Sequence, residues 1–144
     1  DEKDEIKQVS NWIRGLVDEG ISSGELGIFV RSTNEFDRAI QAAKLACINY
    51  QVLDEQMDTI STKTSICTMH LAKGLEFRAV VVMACDDEII PSQTRIETVV
   101  DDSDLEEVYN TERHLLYVAC TRARDHLLVS GIDPVSEFVE DLNG

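Results

Sequence analysis

The chain is poor in positive charge: across 144 residues, 13 Lys and Arg stand against 28 Asp and Glu, a formal net charge of −15. That deficit excludes a surface that wraps a phosphate backbone by its own field. Nucleic acid could be met only through a few placed residues, with another domain supplying the positive potential. Long apolar runs are missing too. The longest, Ala79-Val80-Val81-Val82-Met83-Ala84-Cys85, is strand-sized, far short of the about 18 residues of a membrane span. No basic segment leading into an apolar one opens the chain, so no secretory leader is read, and a cytoplasmic setting without membrane contact is expected. The four cysteines (Cys47, Cys67, Cys85, Cys120) form no C-x-x-C and sit among apolar neighbours. They are expected to be buried, reduced thiols rather than a disulfide frame or a metal site.

Several chemical signatures are absent as well. There is no G-x-x-x-x-G-K-[ST], no G-x-G-x-x-G after a strand, and the seven glycines are not clustered, so the chain builds no phosphate cradle of its own. No G-x-S-x-G, no H-E-x-x-H and no zinc-spaced Cys/His pair occurs. A self-sufficient enzyme is not expected. The chain starts at Asp1 instead of Met, which reads as a piece of a longer protein.

What is present is a globular composition, 43% hydrophobic and 28% charged, sized for one domain over residues 1–144. Residues 4–19 read as an amphipathic helix, with Ile6, Val9, Ile13, Leu16 and Val17 at helical spacing. A strand follows at 26–30. Ser32 and Glu35 then offer a capping box for a helix with Phe36, Ala39, Ile40, Ala43 and Cys47 on one face. Strands are read at 50–53, 65–69, 79–85 and 126–130. A long helix is read over 105–124, with Leu105, Val108, Glu112, Leu115, Leu116 and Ala119 near one stripe, and a terminal helix over 135–142. Residues 86–107, with nine acids against the single Arg95, read as a solvated loop that could dock a basic protein. Alternating strands and helices predict an α/β three-layer sandwich with a mostly parallel central sheet and helices on both faces. Ligands of such sheets sit outside the carboxyl ends of the strands, which draws attention to Arg31, to the segment from His70 to Phe77, and to 86–91.

Two segments concentrate chemistry. Thr68-Met69-His70-Leu71-Ala72-Lys73-Gly74-Leu75-Glu76-Phe77 gathers imidazole, cation and carboxylate between two apolar strands. Arg113-His114-Leu115-Leu116-Tyr117-Val118-Ala119-Cys120-Thr121-Arg122-Ala123-Arg124 strings three arginines along an otherwise apolar helix. By composition alone, both read as ordinary structure: a solvated connection, and a core helix with arginines at its rim. His114 and His126 flank apolar runs and read as structural, and Trp12 reads as a core or rim residue.

These two strings closely resemble motifs V and VI of UvrD/Rep-type superfamily 1 helicases, and Gly27-Ile28-Phe29-Val30-Arg31-Ser32-Thr33-Asn34-Glu35-Phe36 is similar to motif IV. The three occur in family order, and the likeness spans about residues 4–131. The resemblance implies the second RecA-like motor domain of an ATP-driven DNA helicase, inactive alone and completed by a first motor domain that carries the Walker motifs. ATP would lie in the cleft between the two domains, and ATP and Mg2+ would be held mainly by the absent one. The resemblance further implies that Arg31 and Arg122 reach the terminal phosphate as catalytic arginines. Gly74 and Glu76 would complete the nucleotide site, Glu76 on the ribose, and Thr68, His70 and Lys73 would contact single-stranded DNA. Val30 stands where many members carry a tyrosine that stacks on adenine, and Asp87-Glu88-Ile89-Ile90-Pro91 lacks a glycine common in the family. Relatives insert a large accessory subdomain between motifs IV and V, whereas here only residues 54–64 fill that interval. The competing expectation is a non-catalytic protein-interaction module that retains the helicase fold and uses its acidic surface.

Overall fold

The computed structural model describes residues 1–53 and 62–139. Five strands form one all-parallel sheet: β1 (Leu26–Val30), β2 (Tyr50–Val52), β3 (Thr64–Thr68), β4 (Phe77–Val82) and β5 (Ala123–Val129), in spatial order β2-β3-β1-β4-β5. Helices α1 (Glu2–Asp18) and α2 (Phe36–Leu45) cover one face. The long helix α4 (Asp102–Cys120) covers the other, after a short α3 (Gln93–Glu97). This is the expected three-layer α/β sandwich.

The central strands explain themselves. Their side chains alternate faces, and both faces are buried. Ile28, Val30, Ile66, Ala79 and Val81 pack under α1 and α2 with Ile6, Val9, Ile13, Ala39 and Ala43. Phe29, Cys67, Phe77, Val80 and Val82 pack beneath α4 with Leu116, Ala119 and Cys120. Gly27 on β1 is required by this packing, because a Cβ there would fall 2.5 Å from the Phe77 ring. A polar tie closes the α1/α2 side. Glu5, 3% exposed, accepts bonds from Arg38 Nη1 (2.9 Å), the Ala84 amide (2.9 Å) and Ser130 Oγ (3.0 Å). Arg38 also reaches Asp86 through Nη2 at 2.6 Å.

Several expectations need correction. Cys47 is exposed, since α2 ends at Leu45 and Cys47 lies beyond it in the left-handed region at φ 60°; the other three thiols are buried. Ser32 makes no cap to the backbone, and its hydroxyl bonds the Glu35 carboxylate at 2.5 Å. The strand expected over 79–85 spans Phe77–Val82, with Ala84 at φ 57° just past its end. The supposed loop 86–107 contains α3 and the first turn of α4. Apolar periodicity begins only at Leu105, but Asp101 caps α4 by accepting from the Asp104 amide at 2.9 Å, and acids in the first turn suit the helix dipole. Of the helix expected over 135–142, residues 137–139 are helical and those beyond 139 lie outside the described residues, as do 54–61 of the interval between motifs IV and V. No helix among the described residues is long and apolar enough to cross a membrane.

Gly27→Ala is expected to lower unfolding stability by about 1–3 kcal/mol through overpacking against Phe77, measured by urea denaturation.

Candidate functional site

The site grows from the ends of the sheet and the surface of α4. Val30 and Thr68 are register partners on adjacent parallel strands, so Arg31 and Met69 leave the carboxyl edge of the sheet side by side. From there residues 69–76 cross beneath α4, through a 3-10 turn at Met69–Leu71, to reach the amino end of β4. Gly74 sits in this crossing with φ 86° and open space around its missing Cβ. The backbone conformation requires glycine there, not crowding.

At the carboxyl edge, Arg31 turns inward to α4. Its Nε and Nη2 donate to the two oxygens of Glu112, each at 2.8 Å. The side chains are 9% and 0% exposed. The same carboxylate takes the Ser92 amide at 2.6 Å on Oε1 and Arg95 Nη1 at 2.8 Å on Oε2. Burial alone would raise the Glu112 pKa. The bonds from Arg31, the Ser92 amide and Arg95 outweigh it, and the carboxyl lies below its ordinary value. His70 stands close enough to feel this cluster. Its pKa is lowered by burial and by the charges of Arg31 and Arg95, against an opposing pull from Glu112, which favours the neutral ring near pH 7.

Just past the C-terminal end of α4, Arg122 is stitched to the end of the crossing segment. Its carbonyl accepts from the Phe77 amide at 2.9 Å, and its Nη1 approaches the Leu75 carbonyl at 3.4 Å. Glu76 lies exposed between those two anchored residues, so Gly74, Glu76 and Arg122 share one neighbourhood. Arg122 Nη2 bonds Thr121 Oγ1 at 3.1 Å, while its Nε is buried with no hydrogen-bond partner. An orphaned guanidinium donor is costly unless something else takes the bond.

Between the two ends lies a pocket of about 370 Å³ with an apolar floor of Met69, Leu115 and Val118 and a rim of His70, Lys73, His114 and Arg122. On a chain of net charge −15, this local gathering of nitrogen donors suits an anion. A neighbouring pocket of about 290 Å³ shares His70 and adds Thr33, Phe36, Thr68 and Leu71. The structure thus joins His70, Lys73 and Arg122 around one space, with Gly74 and Glu76 on the adjoining segment and Thr68 in the next pocket. Arg31 stands apart from Arg122. Its guanidinium is engaged at Glu112, midway along α4, whereas Arg122 lies two residues beyond Cys120, the last residue of that helix. Val30 is fully buried under α1 and α2 and presents nothing for stacking. Among the described residues, no group of three or more His, Cys, Asp or Glu could hold a metal ion.

Sequence reasoning missed three participants. Glu112 was visible as a carboxylate on an apolar stripe, a position that demands a buried cation. Arg95 was the lone cation of an acidic stretch. His114 reads as structural from its apolar flanks but is exposed on the pocket rim.

A family model for the UvrD-like helicase C-terminal domain matches residues 22–133. The chain belongs to this family. It is similar to YjcD of Bacillus subtilis, 40% identical over 88 residues, covering 60% of this chain and 11% of that one. It is also similar to the ATP-dependent DNA helicase PcrA of Staphylococcus epidermidis, 38% identical over 76 residues, 53% of this chain and 10% of that one. The ATP-dependent DNA helicase Rep of Buchnera aphidicola matches at 28% over 122 residues, 85% of this chain and 16% of that one. The chain therefore spans only a small part of these relatives. The crystal structure of the C-terminal domain of a DNA helicase candidate from Lactobacillus plantarum shares the fold, with a TM-score of 0.65 at 21% identity over 94% of this chain and 71% of that one. The UvrD-like fold and the RecA-type layering expected from the motifs thus agree.

Glu112→Ala should lower stability by about 3–5 kcal/mol at pH 7, because it strands Arg31 as a buried unpaired charge. The folded pKa of Glu112 is lowered, so its contribution is complete above the unfolded value of about 4.3 and is lost as pH falls through the folded one. Urea midpoints measured from pH 7 down to pH values below that range should show the gap between wild type and variant narrowing on the acid side.

Proposed function

We propose that the chain is the second motor domain of an ATP-dependent DNA helicase, a single domain over 1–144 without an inserted accessory subdomain. It works against a first motor domain that carries the Walker motifs and holds most of the ATP and Mg2+. The observation that carries this reading is the pocket rimmed by His70, Lys73, His114 and Arg122, with a buried Arg122 donor that lacks a partner.

Phosphoryl transfer spreads negative charge over the terminal oxygens, and a planar cation supplied from across a cleft stabilises it. Arg122 meets that need with a donor already desolvated, and Arg31 acts as the second arginine once it leaves Glu112 and moves along the flank of α4 toward the same phosphate. Glu76 accepts a hydrogen bond from the ribose, on a segment whose turn Gly74 permits. Thr68, His70 and Lys73 grip single-stranded DNA, by hydroxyl or ammonium on phosphate and by ring on base or phosphate. ATP closes the cleft and shifts this segment relative to the first domain, and release reopens it. The protein acts in the cytoplasm, and the acidic stretch around α3 offers a basic protein partner a docking surface. PcrA and Rep, the relatives named as ATP-dependent DNA helicases, support the same direction.

In the full-length protein, Arg122→Ala should reduce DNA-stimulated ATP hydrolysis by about 10³–10⁵ with an unchanged melting temperature, read by a coupled phosphate-release assay. Turnover near wild type would remove the arginine-finger assignment, whereas no DNA-stimulated hydrolysis by the unmodified full-length protein would favour a non-catalytic protein-interaction module that has kept the helicase fold.

A further inference from the structure

Arg31 cannot serve a phosphate in the arrangement seen here. Two of its three guanidinium nitrogens, Nε and Nη2, are committed to Glu112 in a bidentate pair, and the side chain is 9% exposed. Reaching a phosphate requires breaking that pair, and a stranded carboxylate at 0% exposure would oppose the move.

The donors on Glu112 are arranged so that this opposition is small. Oε1 accepts one bond from Arg31 and one from the Ser92 amide. Oε2 accepts one from Arg31 and one from Arg95. If Arg31 leaves, each oxygen keeps one donor, and Arg95 keeps the charge neutralised. Arg95 itself is 39% exposed and comes from the short α3, so it is a counter-ion that need not travel.

We propose that Glu112 is a positioning residue that holds Arg31 in reserve and releases it to an incoming nucleoside triphosphate, while Arg95 and the Ser92 amide remain on the carboxylate. This rests on the nucleotide role of Arg31 given above. Glu112 and the triphosphate compete for one guanidinium, and Arg95 sets the balance by weakening the grip of Glu112 on Arg31.

The test is the affinity of the full-length protein for a fluorescent non-hydrolysable ATP analogue, in single variants and in an Arg31→Ala background. Glu112→Gln removes the competing charge and should tighten binding by about tenfold, the worth of a charge-assisted hydrogen bond in an equilibrium constant. Arg95→Gln leaves Arg31 as the sole cation on Glu112 and should weaken binding by a similar factor. In the Arg31→Ala background both shifts should shrink to within about twofold, as required of coupled neighbours. A merely structural Glu112 predicts weaker binding in both variants, or shifts that persist without Arg31, and either result overturns the inference. If Arg31→Ala weakens binding while Glu112→Gln and Arg95→Gln change nothing, the inference falls and the motor reading stands. If Arg31→Ala itself has no effect, the nucleotide role of Arg31 falls and the inference with it. Should Glu112→Gln fail to fold, Arg95→Gln decides the matter: weaker binding that vanishes in the Arg31→Ala background supports the inference, and weaker binding that persists there, or no weakening, overturns it.

Discussion

A single buried carboxylate organises the working face of this domain. Glu112 has no exposed side-chain surface, so its charge had to be matched by donors from elsewhere in the fold. They come from the end of β1, from the residue before α3, and from α3 itself. One residue thereby fixes where α4 lies against the sheet and where the acidic stretch docks. It also fixes which way the first arginine after β1 points. Removing the charge pair for apolar residues of equal volume need not cost stability, so stability is a poor reason for it. Placing a cation where it can be taken away is a better one.

The sheet explains why the chemistry lies where it does. Its three central strands are buried on both faces, and no polar group can work within those layers without a partner. Reactive side chains are pushed to the strand ends and to the one segment that must travel between them. That segment, 69–76, leaves β3 at one edge and enters β4 at the other, carrying His70, Lys73 and Glu76 along the flank of α4. The two arginines occupy opposite ends of this track. The strand-gripping and nucleotide-facing groups are therefore parts of one short peptide, and movement at either end is felt at the other.

Much of this was legible in the sequence, and for physical reasons. Uninterrupted apolar runs as short as 79–85, bounded by polar residues, suit central strands of a parallel sheet, and the helical spacing of Ile6, Val9 and Ile13 suits a helix face turned to a core. The composite strings around His70 and Arg122 were long enough to carry a family likeness. What escaped was whatever depends on pairing across the chain. Arg31 and Glu112 are separated by 81 positions, and no local rule joins them. The helix over 102–107 escaped because its signal is a cap and a dipole, not an apolar stripe. Cys47 escaped because helix periodicity was carried past the point where the backbone turns left-handed.

The central claim is that Arg31 is locked to Glu112 when no nucleotide is bound. Hydrogen exchange at the Arg31 side-chain Nε–H, followed by NMR on this 144-residue chain, measures it directly. The account predicts strong protection and a distinct, pH-dependent resonance that is lost as Glu112 is protonated. An Nε–H that exchanges as fast as that of the exposed Arg124 would contradict it.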